Sequence, residues 1–317
     1  MDKQQPVIEV KDLVKRYKEI VALDHLSLDV YQGDIFGLLG PNGSGKTTLI
    51  NCMLALLRYD SGQIRIFGQD MTPASNEIKQ QIGLVPQNPT VYNELTVYEN
   101  IDYFTSLYVK DKVKRSQLVE EAIDFVQLGD FRKTFPQKLS GGLLRRLNLA
   151  CGIAHKPRLL FLDEPTVAVD PQSRNRILEG IKELNRQGTT IVYTTHYMEE
   201  VEMICNRLAI LDHGKVLQSG TSNEIISMSS IGETITVQIF DLPEAILTRL
   251  SNDPAVSSAS YQNGLLKLSI KNGQSYLLTL LETLKHAGIE PMNISSKRPT
   301  LNDVFLEITG KELRDHA

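Results

Sequence analysis

The segment Gly40-Pro41-Asn42-Gly43-Ser44-Gly45-Lys46-Thr47-Thr48 has the spacing GxxxxGK[ST], glycine-rich ahead of a lysine and paired threonines. Residue types in this order suit a polyphosphate. Glycines let backbone N–H groups turn inward around phosphate oxygens, and a helix starting at the lysine adds positive potential. Lys46 would then reach the β and γ phosphates, and the Thr47 hydroxyl would face Mg2+. The bland alternative is a glycine turn with an exposed lysine. Against it, the segment lies between the apolar DIFGLL and the helix-patterned TTLINCMLALL. Strand, loop, helix is the order a phosphate site needs.

Asp163 and Glu164 follow the apolar run Leu159-Leu160-Phe161-Leu162. Acids often end strands as a solvated turn, and Pro165 fits that reading. Ligands of parallel α/β sheets, however, bind at the carboxyl ends of strands, which would set this pair beside the phosphate loop. Asp163 suits Mg2+ through its water shell, and Glu164 suits polarising a water for in-line attack on a γ-phosphate. Ser140-Gly141-Gly142 are a third candidate. Ser140 would cap the helix LLRRLNLACGIAH, and the glycines permit close backbone approach, which makes a second anion-binding helix end. Two such ends with one nucleotide fit a pair of chains, each offering its second end to the other's nucleotide.

The elements that must position these residues read as alternating strands and helices. VIEV, LSLDVY and DIFGLL are expected strands before the loop, and SGQIRIFG and QIGLVPQ strands after it. Residues 96–108 and 113–128 are expected amphipathic helices. A helix follows from Ser140, then the strand LLFLD, a helix opened by Asp170-Pro171, the strand TIVYTT, a helix from Tyr197 and the strand RLAIL. This order argues for an α/β core with parallel strands. The small, polar stretch SGTSNEIISMSSIG, residues 219–232, marks a boundary, with the linker itself at 226–232. Beyond it come ETITVQIF, PEAILTRL, AVSSASY, LLKLSI, SYLLTLLETLKHAG and IEPMNISS. That is a βαββαβ order, followed by a helix over 300–309.

A chain of 317 residues has room for one large domain and a smaller one. With 41% hydrophobic and 23% charged residues it has the composition of a folded domain rather than of a disordered segment. A net charge of -4 gives no general attraction to nucleic acid or to an anionic bilayer. The N-terminal MDKQQPVIEVKDLVKRY lacks a signal-peptide core, and no run of about 18 apolar residues occurs, so no direct membrane insertion is expected. Cys52, Cys151 and Cys205 lack CxxC spacing and read as buried free thiols in a reducing cytosol.

Taken in order, GPNGSGKTT, Gln87 in VPQN, LSGG, LLFLDEP, Asp170 in TVAVD and His196 in TTHYMEE make residues 5–225 resemble the nucleotide-binding domains of ABC transporters. The resemblance implies a P-loop NTPase core with a parallel sheet, an antiparallel β subdomain and a helical subdomain. The small α+β accessory domain would occupy 233–312. It implies an ATP hydrolase using ATP and Mg2+, which powers transport through a separate multi-span transmembrane permease by closing as a dimer, most simply a homodimer. The chain would lie in the cytoplasm, peripheral on the inner face of the cell membrane through that permease. By the same resemblance Tyr17 stacks on adenine, and Gly40, Asn42, Gly43, Ser44, Gly45, Lys46, Thr47 and Thr48 hold the phosphates. Gln87 touches Mg2+ beside Thr47 and Asp163 and links the site to the permease. Ser140, Gly141 and Gly142 bind the γ-phosphate held by the opposite subunit, Asp170 couples the two sites, and His196 acts with Lys46 and Glu164 as the catalytic set.

Taken alone, Tyr17 reads as a surface or half-buried tyrosine and His196 as a core or capping histidine. Asp170-Pro171 reads as an N-cap with proline at the first helical position, a role compatible with the other. The competing functions are a soluble non-transport ABC ATPase and a binding-only regulatory subunit. The first usually pairs two cassettes or inserts a coiled coil, and this sequence has neither.

Two positions depart from the family pattern: Leu143 stands where many members have glutamine, and Val167 where a small or polar residue is usual. Leu143, with Arg145-Arg146 after it, resembles ABC-2-type exporter subunits, while Val167 bears on the inter-subunit contact. KRPTLNDVFLEITG, residues 297–310, resembles the C-terminal module of drug-resistance ATPase subunits similar to the daunorubicin exporter's. There Thr300 would cap a helix whose Leu301, Val304, Phe305 and Ile308 form one apolar stripe, docked within its own domain or on the ATPase core. His25, His155, His213, His286 and His316 show no metal-ligand spacing and read as solvated or capping.

Overall fold

A computed structural model describes residues 5–228, 231–271 and 275–310. The chain forms two units, one ending at Ser219 and one starting at Gly220. In chain order the first holds β1 (Ile8–Tyr17), β2 (Ile20–Val30), β3 (Ile35–Leu39), α1 (Lys46–Met53), β4 (Ser61–Ile66), β5 (Gln69–Asp70), α2 (Asn76–Lys79) and β6 (Ile82–Val85). There follow α3 (Val97–Ser106), α4 (Lys112–Phe125), α5 (Gly141–Ile153), β7 (Leu159–Asp163), α6 (Pro171–Arg186), β8 (Thr190–Thr195), α7 (Met198–Ile204), β9 (Arg207–Asp212) and β10 (Lys215–Gly220).

Strands β3, β7 and β8 are buried at every position. A strand covered on both faces needs no polar alternation, which is the mark of a parallel sheet between two layers. They lie at the centre of a six-stranded sheet of order β10-β9-β3-β8-β7-β6, with β3, β6, β7, β8 and β9 mutually parallel. The period of two survives inside the apolar run. Leu159 and Phe161 join one core with α1 and the antiparallel sheet, whereas Leu160 and Leu162 join a second core with Ile101 of α3, Val119 of α4, Leu147 of α5 and Ile177 of α6.

The antiparallel sheet has the order β2-β1-β4-β5. β1 runs well beyond the expected VIEV, because a bulge after Val10, with Asp12 at φ +50, breaks the alternation that would have revealed it. β5, β10 and the short α2 were not foreseen either. The helices follow their caps. Thr96 and Glu99 form a capping box for α3, and Asp170 accepts the Ser173 N–H at the start of α6 with Pro171 at its first position.

The second unit contains α8 (Ser222–Met228), β11 (Ile231–Gln238), α9 (Glu244–Ser251), β12 (Val256–Gln262), β13 (Leu265–Lys271), α10 (Leu277–His286), β14 (Asn293–Lys297) and α11 (Leu301–Thr309). Its antiparallel sheet has the order β12-β13-β11-β14, and Ile235, Val237, Leu266 and Leu268 pack with Leu280 and Leu284 of α10. This is the split βαβ arrangement. In α11, capped by Thr300 and Asp303, Leu301, Val304 and Phe305 are buried and Ile308 is half-buried. The stretch 219–232, expected as a connector, carries α8. Thr221 and Glu224 close a capping box, with the Thr221 N–H 2.7 Å from the Glu224 carboxylate, so local capping outweighs a polar composition. Of the expected linker 226–232, residues 226–228 belong to α8, 231–232 to β11, and 229–230 lie outside the described residues.

Phe161 is fully buried in β7. Phe161→Ala should cost about 3–5 kcal/mol of stability, read as a lowered urea midpoint of the first unit's unfolding.

Candidate functional site

Gly40 to Gly45 leave the end of β3 and run into α1. The glycines are required by space and by backbone. A Cβ on Gly40 would stand 2.3 Å from the Leu211 carbonyl oxygen, and Gly45, at φ +106, would place one 2.8 Å from the Ala22 oxygen. Lys46 is only 6% exposed, and its ammonium donates to the carbonyls of Gly40 at 2.7 Å and Pro41 at 3.1 Å, folding back over the loop. Burial lowers its pKa, and the carboxylates of Glu164 and Asp163 oppose that shift. Ser44 Oγ is buried in this cradle without a hydrogen-bond partner among the described residues. An orphaned hydroxyl beside an ammonium and a helix start fits a phosphate oxygen.

Asp163 ends β7. Its Oδ2 accepts from Thr47 Oγ1 at 3.1 Å and its Oδ1 from Thr194 Oγ1 at 2.6 Å. A threonine hydroxyl and a carboxylate oriented together are hard oxygen donors of the kind Mg2+ takes alongside phosphate oxygens. Glu164 follows at φ +48, a left-handed conformation costly for a side chain with a Cβ, held by its N–H donating to Thr194 Oγ1 at 3.0 Å. Gln87 Nε2 donates to Glu164 Oε2 at 3.0 Å, and His196 Nδ1 stands 3.4 Å from the same oxygen. His196 beside it holds the Glu164 carboxyl below its ordinary value against burial, with help from Lys46 and Arg145. Glu164 is therefore a carboxylate at neutral pH, the form that can take a proton.

The structure thus gathers Lys46 and Thr47 from the start of α1, Asp163 from the end of β7, and Gln87, Glu164 and His196 from the segments just after β6, β7 and β8. Two residues of this cluster escaped the sequence reading. Thr194 is buried and bonds both acids, yet a threonine in a strand carries no signal of its own. Arg145, read only as a branch marker, donates to the Gln87 carbonyl.

Other expected residues lie apart from it. Among the described residues no hydrogen bond joins Ser140, Gly141 or Gly142 to residues 40–48. Ser140 caps α5 by accepting the Leu143 N–H at 3.3 Å. Gly142 lies against the start of α6, where a Cβ would meet Ser173 Oγ at 2.5 Å and Asp170 Oδ2 at 3.1 Å. Asp170's pKa is lowered by the hydrogen bond from the Ser173 N–H. Tyr17, at the end of β1, is 46% exposed with the Lys15 ammonium 5.1 Å from its ring centre. Asn42 is exposed and Thr48 half-buried. Leu143 packs against the helical core, which accounts for an apolar residue there, and Val167 is half-buried.

The three cysteines are free, and burial pushes the Cys52 thiol up to about 11. His155 is neither solvated nor capping. It stacks on Tyr108 at 3.7 Å, its Nε2 lies 3.1 Å from the Ile82 carbonyl oxygen, and burial pushes its pKa down to about 4. His316 lies outside the described residues.

Residues 23–167 match the model of a family described as ABC transporter. The linearmycin resistance ATP-binding protein LnrL of Bacillus subtilis (strain 168) is 34% identical over 311 residues, covering 98% of this chain and 100% of its own. The daunorubicin/doxorubicin resistance ATP-binding protein DrrA of Streptomyces peucetius is 33% identical over 323 residues, with 98% and 94% covered. A Nod factor export ATP-binding protein I of Ralstonia nicotianae (strain ATCC BAA-1114 / GMI1000) is 32% identical over 310 residues, with 98% and 96% covered. Among solved structures, the ATP-binding subunit of an ABC transporter aligns with a TM-score of 0.65 and 27% identity over 70% of this chain and 92% of its own. A dimeric ATP-binding cassette in a post-hydrolysis state with ADP and Pi aligns with a TM-score of 0.63 and 26% identity over 68% and 98%.

Glu164→Gln should retain ATP binding while phosphate release falls on the order of 10²–10⁴-fold. Because folding lowers the Glu164 pKa below 4.5, its ionisation favours the fold above the unfolded carboxylate value, and that favour is lost as pH falls through the folded value. Acid denaturation curves should therefore be shallower below pH 4.5 for Glu164→Gln than for the parent.

Proposed function

We infer the working cycle of this protein from one premise: the chain belongs to the ABC transporter ATP-binding proteins. It is the ATP-binding and ATP-hydrolysing subunit of an exporter, acting with a separate transmembrane subunit. The observation that carries the cycle is the convergence of Gln87 and His196 on one oxygen of Glu164, next to the Thr47–Asp163 pair and the buried Ser44 hydroxyl.

In the proposed cycle Tyr17 stacks on adenine, and the backbone from Gly40 to Gly45 encloses the phosphates with Asn42, Ser44 and Thr48 beside it. Lys46 exchanges its two carbonyl acceptors for β- and γ-phosphate oxygens. An ammonium already partly desolvated gains more from that exchange than one taken from water. Thr47 and Asp163, with Gln87, would hold Mg2+, which would supply positive charge to the phosphates. Glu164 accepts the proton of the attacking water as its oxygen bonds to the γ-phosphorus and the bond to the β-phosphate oxygen breaks, leaving ADP. His196 donates to the γ-phosphate and keeps Glu164 aimed, and no reorganisation of dipoles is needed at the moment of reaction.

The second half of the cage comes from a second copy. Gly142 sits against Asp170, Ser140 caps its own helix, and a head-to-tail homodimer would bring Ser140, Gly141 and Gly142 of each chain to the other's γ-phosphate. No helix among the described residues is long and apolar enough to cross a membrane; attachment to the inner face of the cell membrane through the permease is part of the proposal and follows from the exporter family. Linearmycin and daunorubicin resistance and Nod factor export in the relatives' names point to outward transport. The soluble non-transport and binding-only readings are not favoured, since relatives matching nearly the whole chain are exporter subunits.

Saturating ATP should convert Glu164→Gln from monomer to dimer on size exclusion, and chelating Mg2+ should stop turnover of the parent chain. A monomer at every ATP concentration would remove the shared cage. Purified from its native membrane, the chain should carry a multi-span partner, and its absence would count against the export reading.

A further inference from the structure

Glu200, in α7 four residues beyond His196, has no exposed surface, and none of the roles above uses it. A buried carboxylate persists only where donors meet its oxygens and a cation meets its charge. Tyr193 Oη donates to one oxygen at 2.6 Å and Thr195 Oγ1 to the same oxygen at 2.7 Å, while Arg174 Nε donates to the other at 2.6 Å. The donors fix two sides of the catalytic face. Thr195 Oγ1 also accepts the Tyr197 N–H at 3.0 Å, which pins the backbone before and after His196. Tyr193 Oη lies 3.4 Å from Thr166 Oγ1, two residues past Glu164.

Arg174 connects this cluster to the start of α6. It lies one turn beyond Asp170, the cap of α6, and that start is packed against Gly142 of α5. Its guanidinium also lies 4.6 Å from the centre of the Tyr197 ring, which in turn stands 4.2 Å from the His196 ring. Apolar residues of similar volume would stabilise the fold as well as a buried ion pair. What the pair adds is direction, since a planar guanidinium fixes both the carboxylate it bonds and the ring it covers.

We propose that Arg174 and Glu200 are a positioning pair that transmits engagement of Asp170 and the Ser140 end of α5 at the subunit interface to His196, and so sets the His196 ring against Glu164. The proposal rests on the dimer and on His196 acting as read above. It makes closure of the interface, rather than nucleotide binding alone, the event that completes the catalytic geometry.

The test uses the full chain, with ATP turnover measured across ATP concentrations and thermal melting measured alongside. Arg174→Lys keeps the charge but loses the planar stack and the Nε geometry. It should lower kcat on the order of tenfold with KM for ATP within about twofold, and flatten the sigmoidal dependence on ATP expected of two coupled sites. The double variant Arg174→Met with Glu200→Gln leaves no unpaired buried ion and should show the same kcat loss, which keeps the test open if Arg174→Lys melts early. In a His196→Ala background neither change should reduce turnover further, as expected of residues acting through His196. An inactive His196→Ala beside parental kcat in both Arg174 variants would overturn the positioning role alone. A kcat loss accompanied in both by an equal loss of ATP affinity and of melting temperature would overturn it too. Parental turnover in His196→Ala would instead sink the underlying assignment of His196.

Discussion

In the parallel sheet Leu39 of β3 is paired with Thr195 of β8, Thr194 with Asp163 of β7, and Leu162 with Val85 of β6. That register is the constraint on which the site depends. Glu164 and, two past Val85, Gln87 leave the sheet level with Thr195, and Gly40 and His196 follow one residue further along. A slip in any pair would carry a side chain of the candidate site about 3.3 Å along the sheet and onto its other face. The register is secured away from the chemistry, by two apolar cores that take alternate residues of β7 and close over both faces of the sheet.

Charge follows from that placement. The start of α1 and the end of β7 bring Lys46, Asp163 and Glu164 into a site largely withdrawn from water, where each ion needs the others. Burial alone would raise a carboxyl and lower an ammonium. His196 and Lys46 reverse the first tendency at Glu164, whereas at Lys46 burial still prevails over the acids. The lysine therefore leans on two backbone carbonyls, and the Ser44 hydroxyl has no acceptor among the described residues. Both are the conditions of a cradle shaped for oxygens that bring negative charge with them.

The sequence showed most where composition alone decides. LLFLD is apolar up to its final aspartate and TIVYTT is made of β-branched and aromatic residues, so both read as strands, and the glycine spacing before Lys46 admits few conformations. It showed least where a single contact decides. The bulge at Asp12 hid most of β1, a threonine and glutamate three residues apart made a helix of an apparently polar connector, and a ring stack took His155 out of solvent. In the site itself, residue types were readable but partners were not. Thr194, between the two acids, and Arg145, on the Gln87 carbonyl, acquire meaning only once β8 lies beside β7 and α5 beside the turn after β6.

The packing of Gly142 against Ser173 and Asp170 bears on why two sites in a dimer would not act independently. A side chain at 142 would collide, so the starts of α5 and α6 form one closely packed body. In the proposed dimer that body meets the neighbour's nucleotide through Ser140 and reaches its own catalytic histidine through Arg174 and Glu200. A γ-phosphate in one site thus bears on the geometry of the other by a short path of packed and hydrogen-bonded groups. In that proposed dimer, loss of the phosphate after hydrolysis would remove the same restraint from the opposite site, and the free energy of ATP would be expressed as opening and closing between subunits, a motion a membrane partner can use.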